Sequence, residues 1–461
     1  MPTFLTFDLG TTLYKVALFD DMGRMLALER VAPDIEHPEP GHWIVHPITV
    51  GKKLTEAAAR LRQRVGDDWQ QIAAVSFATQ ANSFTLLDEA QQPLMPFILW
   101  PDQRAQALAP RLDQISAIPR FRQITGMPRF GPLLGLAKLM TLPDSLRDRS
   151  DGFCYLSDWF THALTGQLCT EAGVAGLSGA YDVRNDRWWG EALEKVGMPI
   201  EWMPRIVCAG TNLGPVTAKA AEALHLPPTC CFVVGCLDQY AGAIGTGTVE
   251  EGTICETTGT VLAAVRFSSV FEEDPGQGVF QGPAFERGNF YQMTFSSTSA
   301  NLLEHYRQTL EGLPSFEQLT SEAQAAAPSD LKIMPYDGSD SIVKSFEQVM
   351  PHHTRGQVVR AIMQRVADSL TEQVMALTHD QLPTEIRSAG GASTNDYWLQ
   401  LKASTLGTTV SAVGTEEPTS LGAAILAASA IGRGDIKSLA QQWVKVRRAF
   451  QPGAAKYRGT L

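Results

Sequence analysis

The chain has 461 residues, roughly three times the usual domain size, so two or three domains with a large total core are expected and one small module is excluded. Its 38 Lys and Arg against 49 Asp and Glu leave a net charge of -11, a field that repels phosphate backbones and anionic lipid, which argues against nucleic acid or a membrane as partner. With 44% hydrophobic and only 19% charged residues, below the roughly 25% of an ordinary soluble domain, the chain is compact and globular rather than disordered.

Thr3 to Asp8 is rich in β-branched and aromatic residues, Gly10-Thr11-Thr12 interrupts it, and Tyr14 to Phe19 resumes, which predicts a hairpin with a Gly-Thr turn. Asp20-Asp21-Met22-Gly23 marks a second turn, after which Arg24 to Val31 returns as a third antiparallel strand. Apolar residues at Val50, Leu54, Ala57, Ala58, Leu61 and Val65 fall at helical spacing, so Thr49 to Val65 is a helix, and Ile72 to Phe77 follows as a buried strand. The opening unit is β-β-β-α-β. Met95 to Leu99 is strand-like and leads into Trp100-Pro101-Asp102-Gln103-Arg104.

Near the middle, Val233 to Gln239 predicts a buried strand ending in the Asp238 carboxylate, and the Gly/Ala-rich Tyr240 to Gly247 a helix linking two domains. A second strand, Gly-Thr turn, strand unit then begins with Thr253 to Thr257, Thr258-Gly259-Thr260 and Val261 to Phe267. This echo implies a duplicated chain with its boundary near residue 245, giving domains 1-245 and 246-461. Farther on, Leu319 to Ala327, Gln357 to Thr378, Asp396 to Leu406 and Thr419 to Ile431 are predicted helices, and Asp330 to Tyr336 and Glu385 to Ala389 short strands. The Ala-rich stretch Leu421 to Ile431 falls short of the roughly 18 to 20 apolar residues needed to span a bilayer and is expected as a buried helix.

Several of these segments offer chemistry. Asp8-Leu9-Gly10-Thr11-Thr12 puts a carboxylate at a strand end beside a glycine and two hydroxyls, a turn that can hold a phosphate, with Asp8 positioning hydrated magnesium and Lys15 adding positive charge. A plain Gly-turn hairpin explains one such turn as well, but Thr258-Gly259-Thr260 repeats the donors in the other half. Ser388 to Asn395, with Gly390 and Gly391, passes from strand to helix and can lie flat against a ligand, or merely permit tight packing. Asp238 is either a helix cap or a general base for a hydroxyl attacking a phosphoryl group, and its place at a domain junction favours the base. Trp100 to Arg104 reads equally as a sugar-holding aromatic face and as a surface turn with an Asp/Arg pair. Neither GxxxxGK[ST] nor GxGxxG after a strand occurs, and no GxSxG elbow supports a serine hydrolase. The seven cysteines are never spaced as CxxC and His37, His42, His352 and His353 lack partners at metal spacing, so no zinc site is expected. With no signal-peptide pattern at Met1 to Asp8, a reducing cytoplasm is the expected location.

Taken in order, Asp8 to Thr12 with Lys15, His37 to Trp43, Trp100 to Arg104, Leu164-Thr165-Gly166, Asp238-Gln239, Thr258-Gly259-Thr260, Gly390-Gly391-Ala392 with Asn395, and Leu421 to Ala424 resemble the FGGY family of carbohydrate kinases along nearly the whole chain. The resemblance implies an α/β protein of two actin-like ATPase (ribonuclease H-like) domains, with ATP and a small sugar or polyol in the inter-domain cleft. By it, Asp238 looks like the base, and Gln80, Ala81, Asn82, Trp100, Asp102, Arg104 and Gln239 like the sugar side. Gly10, Thr11, Thr12 and Lys15 look like the first phosphate loop, Gly259 and Thr260 like the second, and Gly390, Gly391, Ala392 and Asn395 like the adenosine side. Asp8 would stand beside Mg2+. Members of the family often pair, which would make a homodimer. Where xylulose kinases carry Met-His and glycerol kinases Arg-Glu, this chain has Ala81-Asn82, which matches neither pair and implies a roomier pocket or a different sugar; the resemblance as a whole puts a pentulose first as acceptor, with a polyol kinase and a catalytically silent nucleotide-binding protein as alternatives.

Overall fold

A computed structural model describes residues 1–338 and 342–453; residues 454–461, the end of the expected second domain, lie outside the described residues. Thr3–Leu9 (β1) shows no polar alternation because it runs through the middle of a sheet covered on both faces, and all of it is buried. It pairs antiparallel with Tyr14–Phe19 (β2), which pairs antiparallel with Met25–Val31 (β3). Pro47–Val65 (α1) crosses over and returns the chain as Ile72–Thr79 (β4), parallel to β1 on its free side. Leu5, Phe7 and Leu9 share a core with Val50, Leu54, Ala57 and Leu61, the apolar stripe that predicted α1.

Asn212–Pro215 (β5), Cys231–Val233 (β6) and Cys236–Leu237 (β7) complete this seven-stranded sheet, with β6 and β7 both parallel to β4. The continuous strand expected over Val233 to Gln239 is divided. At Gly235 the chain passes so close to β4 that a Cβ would lie 1.6 Å from the Phe77 carbonyl oxygen. Asp238 consequently is not the end of a strand but the first residue of the helix Asp238–Gly245 (α2).

The second half repeats the plan. Thr253–Thr258 (β8) pairs antiparallel with Leu262–Ser268 (β9), and Phe280–Pro283 (β10) and Phe290–Ser296 (β11) extend the antiparallel side. After Phe316–Ala325 (α3) and Arg355–Thr378 (α4), Glu385–Ala389 (β12) lies parallel to β8. Asp396–Leu406 (α5), Thr409–Val413 (β13), Pro418–Ala430 (α6) and the antiparallel edge strand Val446–Phe450 (β14) finish it. In both sheets an antiparallel meander is continued on the free side of its first strand by parallel strands, the arrangement of two actin-like, ribonuclease H-like domains. The strand expected over Asp330 to Tyr336 does not form. Its backbone turns instead to a side chain: Tyr336 N–H donates to the Thr298 hydroxyl at 2.8 Å, which donates back to the Tyr336 carbonyl at 3.2 Å.

Helix α6 is apolar all round because it is enclosed: though it lies between two strands of the second sheet in sequence, it packs on β1 and β4 of the first sheet and on α2. The two helices touch backbone to backbone. A Cβ on Gly245 would lie 1.8 Å from the Pro418 carbonyl oxygen, and one on Gly422 1.9 Å from that of Ala241. No helix among the described residues is long and apolar enough to cross a membrane. Since backbone cannot yield as a side chain does, Gly245→Ala is expected to cost about 2–3 kcal/mol in urea unfolding, and a wild-type midpoint would contradict this packing.

Candidate active site

Parallel α/β sheets carry ligands at the carboxyl ends of their strands. Leu9, Thr79 and Leu237 are register partners across β1, β4 and β7, so Gly10, Gln80 and Asp238 leave the first sheet at one level. From the second sheet, Gly259 follows β8, Gly390 follows β12 and Glu417 closes the loop after β13.

Around the first set runs a closed ring of hydrogen bonds. The Trp100 indole N–H donates to the Thr11 hydroxyl at 2.7 Å, Thr11 donates to Gln80 Oε1 at 3.3 Å, the Ser83 hydroxyl donates to the same oxygen at 2.8 Å, and Trp100 N–H donates to Ser83 Oγ at 3.0 Å. The ring joins the first turn to the 80–83 and 100–104 loops and leaves Trp100 37% exposed. Gln80 itself is buried, its amide donating to the Leu9 carbonyl at 3.1 Å, so it braces loops rather than facing a ligand. Asn82, at φ 60°, donates to the Leu177 carbonyl and accepts from Gly135 N–H, both at 3.0 Å; its amide is thus occupied, while Ala81 beside it is half-buried. Asp102 is fully buried and accepts from Trp43 N–H at 2.7 Å and from Arg104 through two guanidinium bonds at 2.8 and 2.9 Å. Asp102 and Arg104 therefore shape the loop through each other. Beneath it the buried Lys138 ammonium donates to the Leu99 and Trp100 carbonyls at 2.9 and 2.7 Å, and burial pushes its pKa down to about 7.

The charged centre lies beside this ring. Lys15 stands opposite Asp8 across the β1–β2 pair, with its ammonium 3.3 Å from Asp8 and 2.7 Å from Glu417, and Glu417 also accepts from Arg30 at 2.6 Å. Burial raises the Asp8 carboxyl above the ordinary carboxylate range, against the lowering pull of Lys15. Burial would lower Lys15, but Asp8 and Glu417 together raise it. Asp238 is pushed up to about 7, first by burial and then by the negative charge of Asp8, with the Gln239 N–H bond at 2.7 Å and Lys15 opposing. Gln239 is half-buried next to it, and Thr12 is exposed at the tip of the turn.

On the second sheet a cavity of about 1010 Å3 is bordered by Thr258, Gly259, Thr260, Gly391, Ala392 and Asn395, and further by Asn301, Glu304, Phe316 and Thr320. A Cβ on Gly259 or Gly391 would meet only open space, so glycine there keeps backbone accessible to a ligand rather than relieving a packing clash. Gly390, at φ 81°, holds a conformation that favours glycine. Asn395 caps α5 through Trp398 N–H at 3.0 Å and donates to Thr320 at 2.8 Å, so its amide is committed to α5 and α3. Beneath the Thr258 turn the fully buried Lys402 ammonium donates to Glu256 at 2.6 Å and to Thr258 Oγ1 at 2.8 Å, Thr258 donates to Glu256 at 2.7 Å, and Ser388 donates to the same carboxylate. The first-sheet residues Gly10, Thr11, Thr12, Lys15 and Asp238 do not border this cavity; Glu417 links the two sets.

Sequence reasoning missed Glu417, Glu256, Lys402 and Lys138. Only Glu417 carried a local hint, a carboxylate just before a helix-opening proline. The sequence model of the FGGY family of carbohydrate kinases matches twice: its N-terminal domain over residues 3–245 and its C-terminal domain over residues 254–431. The chain is 25% identical to a xylulose kinase of Lactococcus lactis subsp. lactis, covering 97% of this chain and 92% of that protein. It is 22% identical to a gluconokinase of Bacillus subtilis, covering 94% and 88%. Its fold matches the ligand-bound xylulose kinase from Lactobacillus acidophilus with a TM-score of 0.89 at 20% identity, over 98% of this chain and 94% of that one.

Removing one member of a buried ion pair strands the other charge. Lys402→Met is expected to destabilise the protein by roughly 3–5 kcal/mol in chemical unfolding, and a loss below about 1 kcal/mol would show that Glu256 is satisfied without it.

Proposed function

Since the chain belongs to the FGGY family of carbohydrate kinases, phosphotransferases with an alcohol group as acceptor, we propose that it transfers the γ-phosphoryl group of magnesium ATP to a terminal hydroxyl of a small ketose, a pentulose of the xylulose kind. The observation that carries this reading is Asp238, a carboxylate at the start of α2, level with the ends of β1 and β4 and held near neutral pKa by burial and by Asp8. We take residues 1-245 and 246-461 as the two domains, with α2 at the junction.

In this reading Asp238 accepts the proton of the acceptor hydroxyl as that oxygen bonds to phosphorus and the bridging oxygen leaves with ADP. Gln239 and the exposed face of Trp100 orient the sugar, with Asp102, Arg104, Gln80 and Asn82 acting from behind as loop supports. The backbone of Gly10, Thr11 and Thr12 on one side and of Gly259 and Thr260 on the other takes the phosphates, while the cavity edged by Gly391, Ala392 and Asn395 takes the adenosine. Open space at Gly259 and Gly391, together with the Asp8 carboxylate on β1 and the Asp238 carboxylate that follows β7, suits a metal-bound nucleotide. Asp8 would hold the magnesium through water, and the metal would offset charge on the transferred group. Closure around the ligands keeps water from replacing the sugar as acceptor.

Asp238 must be ionised to take the proton, and its raised pKa places that ionisation near neutrality. The rate per sugar, kcat/KM, is expected to climb with pH through about 7 and to be low beneath it. Asp238→Asn should lower kcat by about 10^2 to 10^4-fold while nucleotide binding persists. An ADP-release assay on both proteins with pentuloses, hexuloses, gluconate, glycerol and other polyols decides the reading. Turnover retained by the variant removes Asp238 from the base role, and a polyol or gluconate outrunning every pentulose reassigns the acceptor.

A further inference from the structure

Asp8, Lys15 and Arg30 form one row across β1, β2 and β3: Asp8 is the register partner of Lys15, and Lys15 that of Arg30. Side by side, two cations repel, and with nothing else nearby the Lys15 ammonium would settle on its remaining neighbour, the Asp8 carboxylate. Glu417 alters both outcomes. It gives one oxygen to each cation, Oε2 to Lys15 at 2.7 Å and Oε1 to Arg30 at 2.6 Å, so that Lys15 is shared, held closer by Glu417 than by Asp8, with which it still pairs at 3.3 Å. The carboxylates of Glu417 and Asp8 are each 7% exposed, so these charges act with little solvent screening.

Glu417 also arrives from elsewhere in the chain. It closes the loop after β13 of the second sheet, and Pro418 immediately begins α6, whose crossing with α2 admits no added atom at Gly245 or Gly422. Its carboxylate is thus placed by the other sheet and by the helix crossing, not by the hairpin it acts on.

We infer that Glu417 is a positioning residue that competes with Asp8 for the Lys15 ammonium, loosens that pairing, and so leaves the Asp8 carboxylate more available to the nucleotide's magnesium. The inference rests on the magnesium ATP reading above and adds to it a residue that touches neither nucleotide nor sugar. With Glu417→Gln the neutral amide no longer competes for Lys15, the ammonium closes on Asp8, and the hold on magnesium weakens. Supporting partners of metal sites commonly change metal affinity by 10 to 100-fold, so a loss of about tenfold is expected.

The test measures binding and needs no turnover. The full chain is titrated by calorimetry with an ATP analogue carrying a methylene β,γ-bridge, over a series of Mg2+ concentrations, for wild type, Glu417→Gln, Lys15→Met, the double variant and Arg30→Met. Glu417→Gln should raise the Mg2+ concentration for half-maximal enhancement about tenfold. In the Lys15→Met background the same change should shift it less than about twofold, because the lysine that would capture Asp8 is gone. Arg30→Met, which keeps the Lys15–Glu417 contact, should also leave it within about twofold, whereas a merely structural charge cluster would respond to both. Should Glu417→Gln fail to fold, Glu417→Asp, with its carboxylate retracted by one methylene, gives the same comparison with a smaller shift. Equal shifts in both lysine backgrounds, or no shift in either, overturn the inference while the nucleotide reading stands. A wild type whose analogue binding ignores Mg2+ overturns both.

Discussion

Two helices that cross backbone to backbone hold the charged centre together. Helix α2 begins at Asp238 and α6 begins one residue after Glu417. Their contact, closed to even a methyl group at Gly245 and Gly422, sets the distance between the two helix starts and therefore between the sheets that feed them. The chain achieves this by sending α6 away from its own sheet onto β1 and β4, which is why that helix is apolar on every face while α1, with one side in solvent, is amphipathic.

On this frame, charge is buried at both sets of strand ends, and charges from distant parts of the chain meet there. At the first sheet, Lys15 lies between Asp8 and Glu417, and burial, with the charge of Asp8 second, holds the Asp238 proton to about 7. At the second, Lys402 from α5 meets Glu256 on β8 directly beneath the turn that carries Gly259 and Thr260. Buried ions cost several kcal/mol each to desolvate, so their partners must be present and oriented for the folded state to hold. Such networks brace the neighbouring turns, and in the proposed reading these turns bind phosphate through the fixed direction of their backbone N–H groups.

The side proposed for the sugar is built differently. Side chains that look free to bind in the sequence are committed to one another: Gln80 to Leu9, Thr11 and Ser83, Asn82 to the 135 and 177 backbones, Asp102 to Arg104 and Trp43. What keeps some exposure is Trp100 and Thr12, with Asp238 and Gln239 half-buried. In the proposed reading recognition then falls to few groups, since the Asn82 amide is already committed to backbone and Ala81 has no side-chain hydrogen bond to offer.

The amino-acid sequence alone determined whatever rests on neighbouring residues. The hairpin at Thr3 to Phe19, α1 with its stripe from Val50 to Leu61, the Glu385–Ala389 strand and the helix Asp396–Leu406 follow from periodicity and from turn residues such as Gly10 and Gly407. The second Gly-Thr turn at residue 258 exposed the duplication, and Asp238 stood out as a carboxylate closing an apolar run. The tertiary structure alone decided what depends on closeness across hundreds of residues: Glu417 on Lys15 and Arg30, Lys402 on Glu256, Lys138 under the 99–100 carbonyls, and the division of the 233–239 strand where Gly235 meets Phe77. Local pattern reports which face of an element is apolar. It carries no record of which distant charge will be brought against that element, because that partner is chosen only when the sheets and helices have packed.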